Sequence, residues 1–383
     1  MVIQSMGEFK TSKTMSYIRI IVINVVVLCL ILFIIEGIAN YVLMAHDVVK
    51  HHRLAEQRHT QYDPDLGWVN KPNIYIPDMY GPGVYLKTNS QRFRNNHDFE
   101  TAVPKGKYRI ICSGDSHTLG YGVDNDHTWC ELLTSLDSRL ETVNMGQGGY
   151  GIDQAYLWYK RDASRLEHQL YIMAFITDDF YRLQLDRFHG YGKPLIDTEK
   201  GKLVIKNVPV PRRPYYLPWF TSNFDRMMRL NTFKLLKQIY QNIGFEPVRS
   251  DTISERERNL KTQEVQRSIF KDLKHINDER SRKIILVYLP TIYEIKDNES
   301  QEWMRFIEKE AQTLGIPLIN VLRIFRSLPY ENVADMFIPE WQINYLNAGG
   351  HLNNRGNEFV ARVIYEELKK SGSFPKFFNG SNQ

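Results

Sequence analysis

Two residues far apart in the sequence, Ser116 and His351, are of the types that transfer acyl groups by nucleophilic catalysis. A serine hydroxyl attacks an ester efficiently only when a neighbouring base accepts its proton. Ser116 ends a Gly-Asp-Ser turn that is soon followed by Gly120 and Gly122, and His351 lies in a glycine-rich loop over 349–356. We therefore predict that Ser116 is the nucleophile and that His351 is its general base.

The segments around these residues are typical of an open α/β sheet. The apolar run 110–112, just before Ser116, has the length and β-branched character of a buried strand. Such sheets present their functional side chains at the carboxyl ends of the strands. A second glycine-rich segment, 146–151, also follows a strand pattern, and Gly149 within it would let a backbone N–H approach a ligand closely.

The main part of the chain alternates strand and helix patterns, which indicates βαβ units. We predict an α/β fold in which a parallel sheet is flanked by helices, with a transmembrane helix before it. The predicted strands are 108–113, 141–145, 170–176, 283–289 and 317–321, and the helices between and after them include 127–138, 152–166, 299–313 and 356–368.

The N-terminal segment is apolar enough to cross a bilayer. Residues 20–35 are almost all Ile, Val, Leu or Phe, and the segment extends to Met44, which reaches the ~20 residues that a bilayer requires. A cleaved signal peptide is the alternative, but no small-residue cleavage site follows. Basic residues are balanced on the two sides of the span, so charge does not give its orientation.

These patterns divide the chain into a membrane-anchored main domain with smaller parts around it. The net charge of +5 is small and dispersed, which argues against nucleic-acid binding, and three cysteines form no disulfide framework. The predicted parts are a polar N-terminus (1–16), the anchor (17–44), a linker with a β-rich lead-in (45–100), the main domain (101–370) with an insertion at about 180–280, and a tail (371–383).

Three sequence blocks make the chain resemble the SGNH or GDSL-like hydrolases, in their bacterial membrane-anchored form. The blocks are Gly114-Asp115-Ser116, the segment from Asn144 to Gly149, and His351 with the Leu-Asn-x-x-Gly-Asn segment that starts directly after it. The resemblance implies a flavodoxin-like three-layer sandwich. It also implies that the N–H groups of Ser116 and Gly149 stabilise the oxyanion, and that Asn144 belongs to the same oxyanion and substrate-binding site.

Two positions depart from the pattern of that family. The third block normally supplies an asparagine that donates to the oxyanion, and Asp178 stands in its place. An ionised carboxylate accepts hydrogen bonds and donates none. The carboxylate that orients the histidine normally lies two or three residues before it, where this chain has alanine and glycine. Asp335 is the candidate we name for that role, with Glu340 and Asn347 as alternatives.

The leading hypothesis from the sequence is a membrane-anchored serine esterase or O-acyl transferase that acts on acylated carbohydrates or other esters. The resemblance implies an extracytoplasmic domain at the bacterial inner membrane, and a membrane acyltransferase is a possible partner. A catalytically degenerate domain that binds glycan or serves as a scaffold is the second hypothesis. A two-metal phosphoesterase is a third and weaker one, because the required ligand clusters are missing from the sequence. We expect neither a metal nor a cofactor.

Overall fold

The protein is described here by a computed structural model. It describes residues 2–51, 56–188, 191–211, 251–296, 300–339, 348–372 and 374, and only positions 232, 235, 236 and 239 between 212 and 250. Its strands are β1 Thr60–Asp63, β2 Gly67–Asn70, β3 Tyr75–Ile76, β4 Leu86–Lys87, β5 Tyr108–Gly114, β6 Leu140–Gly146, β7 Leu170–Phe175, β8 Arg187–Phe188, β9 Tyr191–Gly192, β10 Leu195–Glu199, β11 Lys202–Lys206, β12 Lys283–Tyr288 and β13 Leu318–Asn320.

The helices alternate with the longer strands. They are α1 Val2–His51, α2 Glu56–His59, α3 Ser116–Leu119, α4 Trp129–Leu136, α5 Ile152–Arg161, α6 Asp178–Arg182, α7 Asp251–Asp278, α8 Ile292–Lys296, α9 Gln301–Leu314, α10 Val321–Arg326, α11 Tyr330–Ala334 and α12 Asn354–Lys370.

Five strands form one parallel sheet in the order β13-β12-β7-β5-β6. Counted along the chain, this is the doubly wound order 2-1-3-4-5, in which the strand order reverses between β5 and β7. Ligands of such sheets bind beyond the carboxyl ends of the strands at that reversal. The predicted parallel sheet flanked by helices is confirmed, and the carboxyl end of β5 is where Ser116 lies.

The sheet has an apolar core on each face, as the alternation of side chains along its strands requires. Ile111, Tyr171 and Met173 pack on the face covered by α5, α7 and α9. Ile110 and Ile172 pack on the face covered by α4, α10 and α12. Because both faces are covered, the central strands β7 and β12 are almost entirely apolar.

The region predicted as an insertion is partly a regular element of the fold. Helix α7 lies between β7 and β12 in the chain, and Ile269, Phe270 and Leu273 from it are buried in the core. It therefore acts as the crossover helix between these two parallel strands. Two short hairpins, β8–β9 and β10–β11, precede it. The aromatic stretch at 212–220 lies outside the described residues.

Helix α1 carries the predicted anchor. Its segment Ser16–Leu43 is long and apolar enough to cross a membrane, with a mean hydropathy of 3.2, and it lies near the N-terminus, where a signal sequence has the same properties. One carboxylate interrupts the apolar surface near its end, and Glu36 accepts hydrogen bonds from the backbone N–H and hydroxyl of Thr232.

A buried cation joins the amino ends of the central strands to the segment before them. Arg109 on β5 has no exposed side-chain surface and pairs with Glu141 on β6 at 2.5 Å. Its guanidinium also donates to the backbone carbonyls of Thr101, Ala102 and Glu167. Each of the three guanidinium nitrogens of Arg109 thus donates to at least one acceptor, as a buried guanidinium requires.

We predict that Arg109→Leu lowers the free energy of unfolding by about 3 kcal/mol, because it leaves the largely buried carboxylate of Glu141 without its partner. Urea unfolding of the detergent-solubilised protein measures the change. Arg362→Leu is the matched control: Arg362 pairs with Glu358 on the exposed surface of α12, and such pairs contribute less than about 1 kcal/mol. Equal losses in the two variants would contradict the prediction.

Candidate active site

Ser116 lies at the carboxyl end of β5, where the sheet order reverses. The strand ends at Gly114, and Asp115 caps the short helix α3 by accepting the backbone N–H of His117 at 2.9 Å. Ser116 is the first residue of that helix and is largely buried. The strand, the cap and the helix together present the hydroxyl at the edge of the sheet.

The structure brings His351 to this serine. Its Nε2 lies 2.8 Å from Ser116 Oγ, although the two residues are separated by 235 positions in the chain. The histidine loop is held by its backbone, because Ile338 N–H donates to His351 O at 2.8 Å and Leu352 forms an isolated bridge with Phe337. A hydrogen bond of this length suits proton transfer from a serine to an imidazole.

The second nitrogen of the imidazole is not oriented by a carboxylate from the described part of the chain. His351 Nδ1 is buried and meets no hydrogen-bond partner among the described residues. Asp335, the residue we named for this role, points elsewhere: its side chain is 74% exposed and lies 3.7 Å from Arg355. The prediction for Asp335 is therefore corrected. Glu340 and Asn347 lie outside the described residues.

A guanidinium that is not among the predicted site residues lies close to Ser116. Arg182 on α6 donates to Asp179 at 2.7 Å, to Asp115 at 3.3 Å and to the carbonyl of Tyr150 at 3.1 Å. The same oxygen of Asp115 lies 3.4 Å from Ser116 Oγ. Arg182 thus neutralises carboxylates directly behind the serine. The sequence does contain one indication of this contact: Arg182 follows Asp179 by three residues, a spacing at which opposite charges on a helix form ion pairs.

The charges in this cluster influence one another strongly. Burial raises the pKa of Asp179, and the nearby Asp115 carboxylate raises it further, whereas Arg182 opposes both effects. The pKa of Arg182 is raised, because Asp179 and Asp115 outweigh the effect of its burial. A single cation shared by two buried carboxylates fixes the position of all three side chains.

The three other predicted site residues lie in different surroundings. Asp178 begins α6 and is 67% exposed at the rim of the pocket, 3.8 Å from Arg182. Gly149 has a φ of 72°, and a Cβ there would lie 2.6 Å from the Phe188 ring, so glycine is required. No described residue accepts a hydrogen bond from its N–H. Asn144 is buried within β6, where its side chain accepts the N–H of Gly146.

A pocket of about 230 Å³ opens at the Ser116–His351 pair. Its wall beyond β12 carries Glu294, whose pKa burial raises and whose carboxylate accepts from Thr177 and Thr291. Tyr181 and Tyr293 line the outer part and are both exposed. The lining residues are Ser116, His117, Ile176, Thr177, Asp178, Tyr181, Arg182, Thr291, Tyr293, Glu294, Ser300, Gly349, Gly350 and His351.

The described residues offer no metal centre: no group of three or more His, Cys, Asp or Glu side chains among them could hold an ion. The pocket does contain a hydroxyl in contact with an imidazole, a guanidinium beside that hydroxyl, and an exposed carboxylate at the rim. This arrangement can activate a serine for attack on a carbonyl.

Comparisons with known proteins give similar structures only, since no family model and no curated protein matches the chain. The acetyl xylan esterase AlAXEase is 14% identical with a TM-score of 0.38, covering 68% of this chain and 99% of that one. A lipolytic protein of the G-D-S-L family from Veillonella parvula is 13% identical with a TM-score of 0.35, covering 69% and 99%. A variant of an acetyl-xylooligosaccharide esterase from Geobacillus is 11% identical with a TM-score of 0.37, covering 68% and 94%.

Proposed function

We propose that this protein is a membrane-anchored serine esterase or O-acyl transferase, with Ser116 as nucleophile and His351 as general base. One observation carries the proposal: Ser116 Oγ and His351 Nε2 are 2.8 Å apart at the point where the sheet order reverses. Two segments so distant in sequence meet at the place where α/β sheets bind ligands.

In the proposed reaction, Ser116 Oγ attacks the carbonyl carbon of an ester while its proton moves to His351 Nε2. The carbonyl oxygen becomes an oxyanion, which the N–H groups of Ser116 and Gly149 stabilise. His351 then gives the proton to the departing alcohol, and an acyl group remains on Ser116. Water as the second acceptor makes the protein an esterase, and a sugar hydroxyl makes it a transferase.

The pocket supports a small acyl group on a carbohydrate as the substrate. Its volume of about 230 Å³ is below the ~300 Å³ at which pockets for drug-sized ligands begin, so only a short acyl chain and part of a sugar fit inside. Tyr181 and Tyr293 at its mouth offer aromatic surfaces with polar ends, which suit the mixed apolar and hydroxyl faces of a sugar ring. O-acetyl groups on cell-surface glycans meet these requirements.

The proposal includes an uncleaved anchor with the catalytic domain outside the cytoplasm, at the inner membrane of a bacterium. The length and hydropathy of the Ser16–Leu43 segment support the membrane-spanning part of this proposal. The second candidate function is a degenerate domain that binds glycan without hydrolysing it. It is favoured by the buried His351 Nδ1, which no described carboxylate contacts, and by Asp178 at the rim.

We predict that a fluorophosphonate probe labels the wild-type protein at Ser116, because the probe reacts with serines that an adjacent base activates. Ser116→Ala should abolish labelling, and His351→Ala should slow it by about 10³-fold or more. Ser138→Ala is the control, since Ser138 is an exposed turn residue, and it should be labelled as the wild type is. Wild-type protein that stays unlabelled and inactive on aryl acetates would refute catalysis and favour the degenerate domain.

We predict that the rate of labelling falls only at acidic pH. His351 acts as a base in its neutral form, and burial lowers its pKa, with His117 lowering it further. The imidazole therefore stays neutral below its ordinary pKa of about 6.5. Labelling rates measured as a function of pH should therefore stay constant through pH 6.5 and decline only at clearly lower pH. A decline that begins above about pH 7 would contradict the lowered pKa.

We predict that Asp178→Asn raises kcat on an aryl acetate by about tenfold with little change in KM. The change removes a negative charge from the rim and adds an N–H donor where an oxyanion develops, and such donors act mainly on kcat. Asp335→Asn is the matched control. Its carboxylate is exposed beside Arg355, so kcat should stay within about twofold of wild type. A lower kcat in Asp178→Asn would show that the carboxylate itself serves the reaction.

A further inference from the structure

The imidazole of His351 lies between two other rings. The His117 ring stacks against it with centroids 4.4 Å apart and planes inclined by 26°. The Tyr121 ring also lies against it, with centroids 5.2 Å apart and planes inclined by 33°. Both neighbours are almost fully buried. The base is therefore held by aromatic surfaces in a site where the described residues give its Nδ1 no hydrogen-bond partner.

The place where a GDSL-like hydrolase would carry the orienting carboxylate is filled by an apolar cluster. Ala348 is three residues before His351, is fully buried, and packs with Leu119, Tyr80 and Tyr121. A carboxylate in such surroundings would lose its hydration, at a cost of several kcal/mol. The apolar cluster that leaves no place for a carboxylate at position 348 thus includes Tyr121, whose ring contacts the His351 imidazole.

We propose that Tyr121 takes over the role of the orienting carboxylate: it positions the His351 ring and stabilises the imidazolium that forms when Ser116 is deprotonated. The inference rests on the proposed function and names a positioning residue for it. The face of an aromatic ring carries negative electrostatic potential and attracts a cation lying over it. No proton moves to Tyr121. The proton travels from Ser116 Oγ to His351 Nε2 and then to the departing alcohol.

The position of Tyr121 is fixed by its surroundings. A Cβ at position 148 would collide with the Tyr121 hydroxyl, so Gly148 provides the space that the end of the ring occupies. The Tyr80 ring packs on Tyr121 with centroids 5.8 Å apart, and the Tyr121 N–H donates to the carbonyl of Ser116 at 3.1 Å. Tyr121, which contacts the proposed base His351, is therefore also hydrogen-bonded to the backbone of Ser116, the proposed nucleophile.

Several charged and titratable groups around His351 disfavour its imidazolium form, which the Tyr121 ring would stabilise. Burial lowers the pKa of His351, and the neighbouring His117 and the Arg182 guanidinium lower it further. Burial lowers the pKa of His117 and Arg182 lowers it further, whereas Asp115 and Asp178 oppose this shift. The backbone carbonyls of Ala348 and Gly349 act in the other direction and raise the pKa of His351. The face of Tyr121 adds to these carbonyls in favouring the imidazolium against the burial and the positive charge of Arg182.

The test compares Tyr121→Leu with Tyr121→Phe in the full chain, by kcat on an aryl acetate as a function of pH. Leucine keeps the apolar bulk without the aromatic face, so kcat should fall about tenfold, the size of a desolvated cation–π contact. The acidic limb should move to lower pH, because the imidazolium is less stable. Phenylalanine keeps the face and should restore kcat to within about threefold of wild type.

A purely structural role for Tyr121 predicts the opposite shift. A loosened site admits water, which reduces the burial of His351 and moves the acidic limb to higher pH. That shift, or an unchanged kcat in Tyr121→Leu, would overturn the inference while leaving the proposed function intact. Gly148→Ala, which displaces the Tyr121 hydroxyl, is the second variant and should move the limb in the same direction as Tyr121→Leu.

Glu340→Gln separates the inference from a conventional triad. If Glu340 orients His351, its loss should lower kcat by about 10⁴-fold, as the loss of a triad carboxylate does, and the inference falls. A kcat within about twofold of wild type supports it. An inactive and unlabelled wild-type protein refutes the proposed function itself, which no outcome of the Tyr121 series can do.

Discussion

The hydrogen bond between Ser116 and His351 is the contact on which the site depends, because the elements around it serve to bring two distant loops together. The sheet order places the end of β5 at the reversal point, and helix α12 fixes the loop before it. Asn357 on α12 is central to this: its side chain accepts the N–H of Trp129 at 3.0 Å and donates to the carbonyl of Leu352 at 3.0 Å. The histidine loop is therefore tied to the first residue of α4, which packs on the same face of the sheet as α12.

The fold follows largely from features that the sequence displays locally. All five core strands were predicted within a few residues, because each contains a short apolar or β-branched stretch and most are followed by turn residues. Ser116 and His351 could be paired because each lies at the boundary of a predicted element. The role of α7 was harder to predict, since its charged outer surface hides the few apolar residues, such as Ile269 and Phe270, that face the core.

The rest of the site depends on side-chain direction, which sequence spacing does not give. Asp335 is near His351 in the chain, yet its carboxylate points to solvent and to Arg355. Neither Tyr121 nor Arg182 belongs to a sequence motif. The Tyr121 ring is positioned by packing against Gly148. Arg182 is positioned by its ion pairs with Asp115 and Asp179. Asn144 lies in a motif, but its side chain completes the turn at the end of β6.

Behind the pocket, a second buried cation extends the charge network that begins at Arg182. Lys193 pairs with Asp153 at the start of α5 and donates to the carbonyl of Arg182 at 2.9 Å, and both side chains of the pair are fully buried. Buried ion pairs add little net stability compared with apolar packing, but removing one partner is costly. Their effect here is positional: α5, α6 and the segment between the two hairpins are held in one arrangement. Because Arg182 bridges α6 to Asp115, that arrangement extends to the residue directly before Ser116. The buried side of the pocket thus lies behind Ser116, and its exposed side lies at Asp178 and Tyr293.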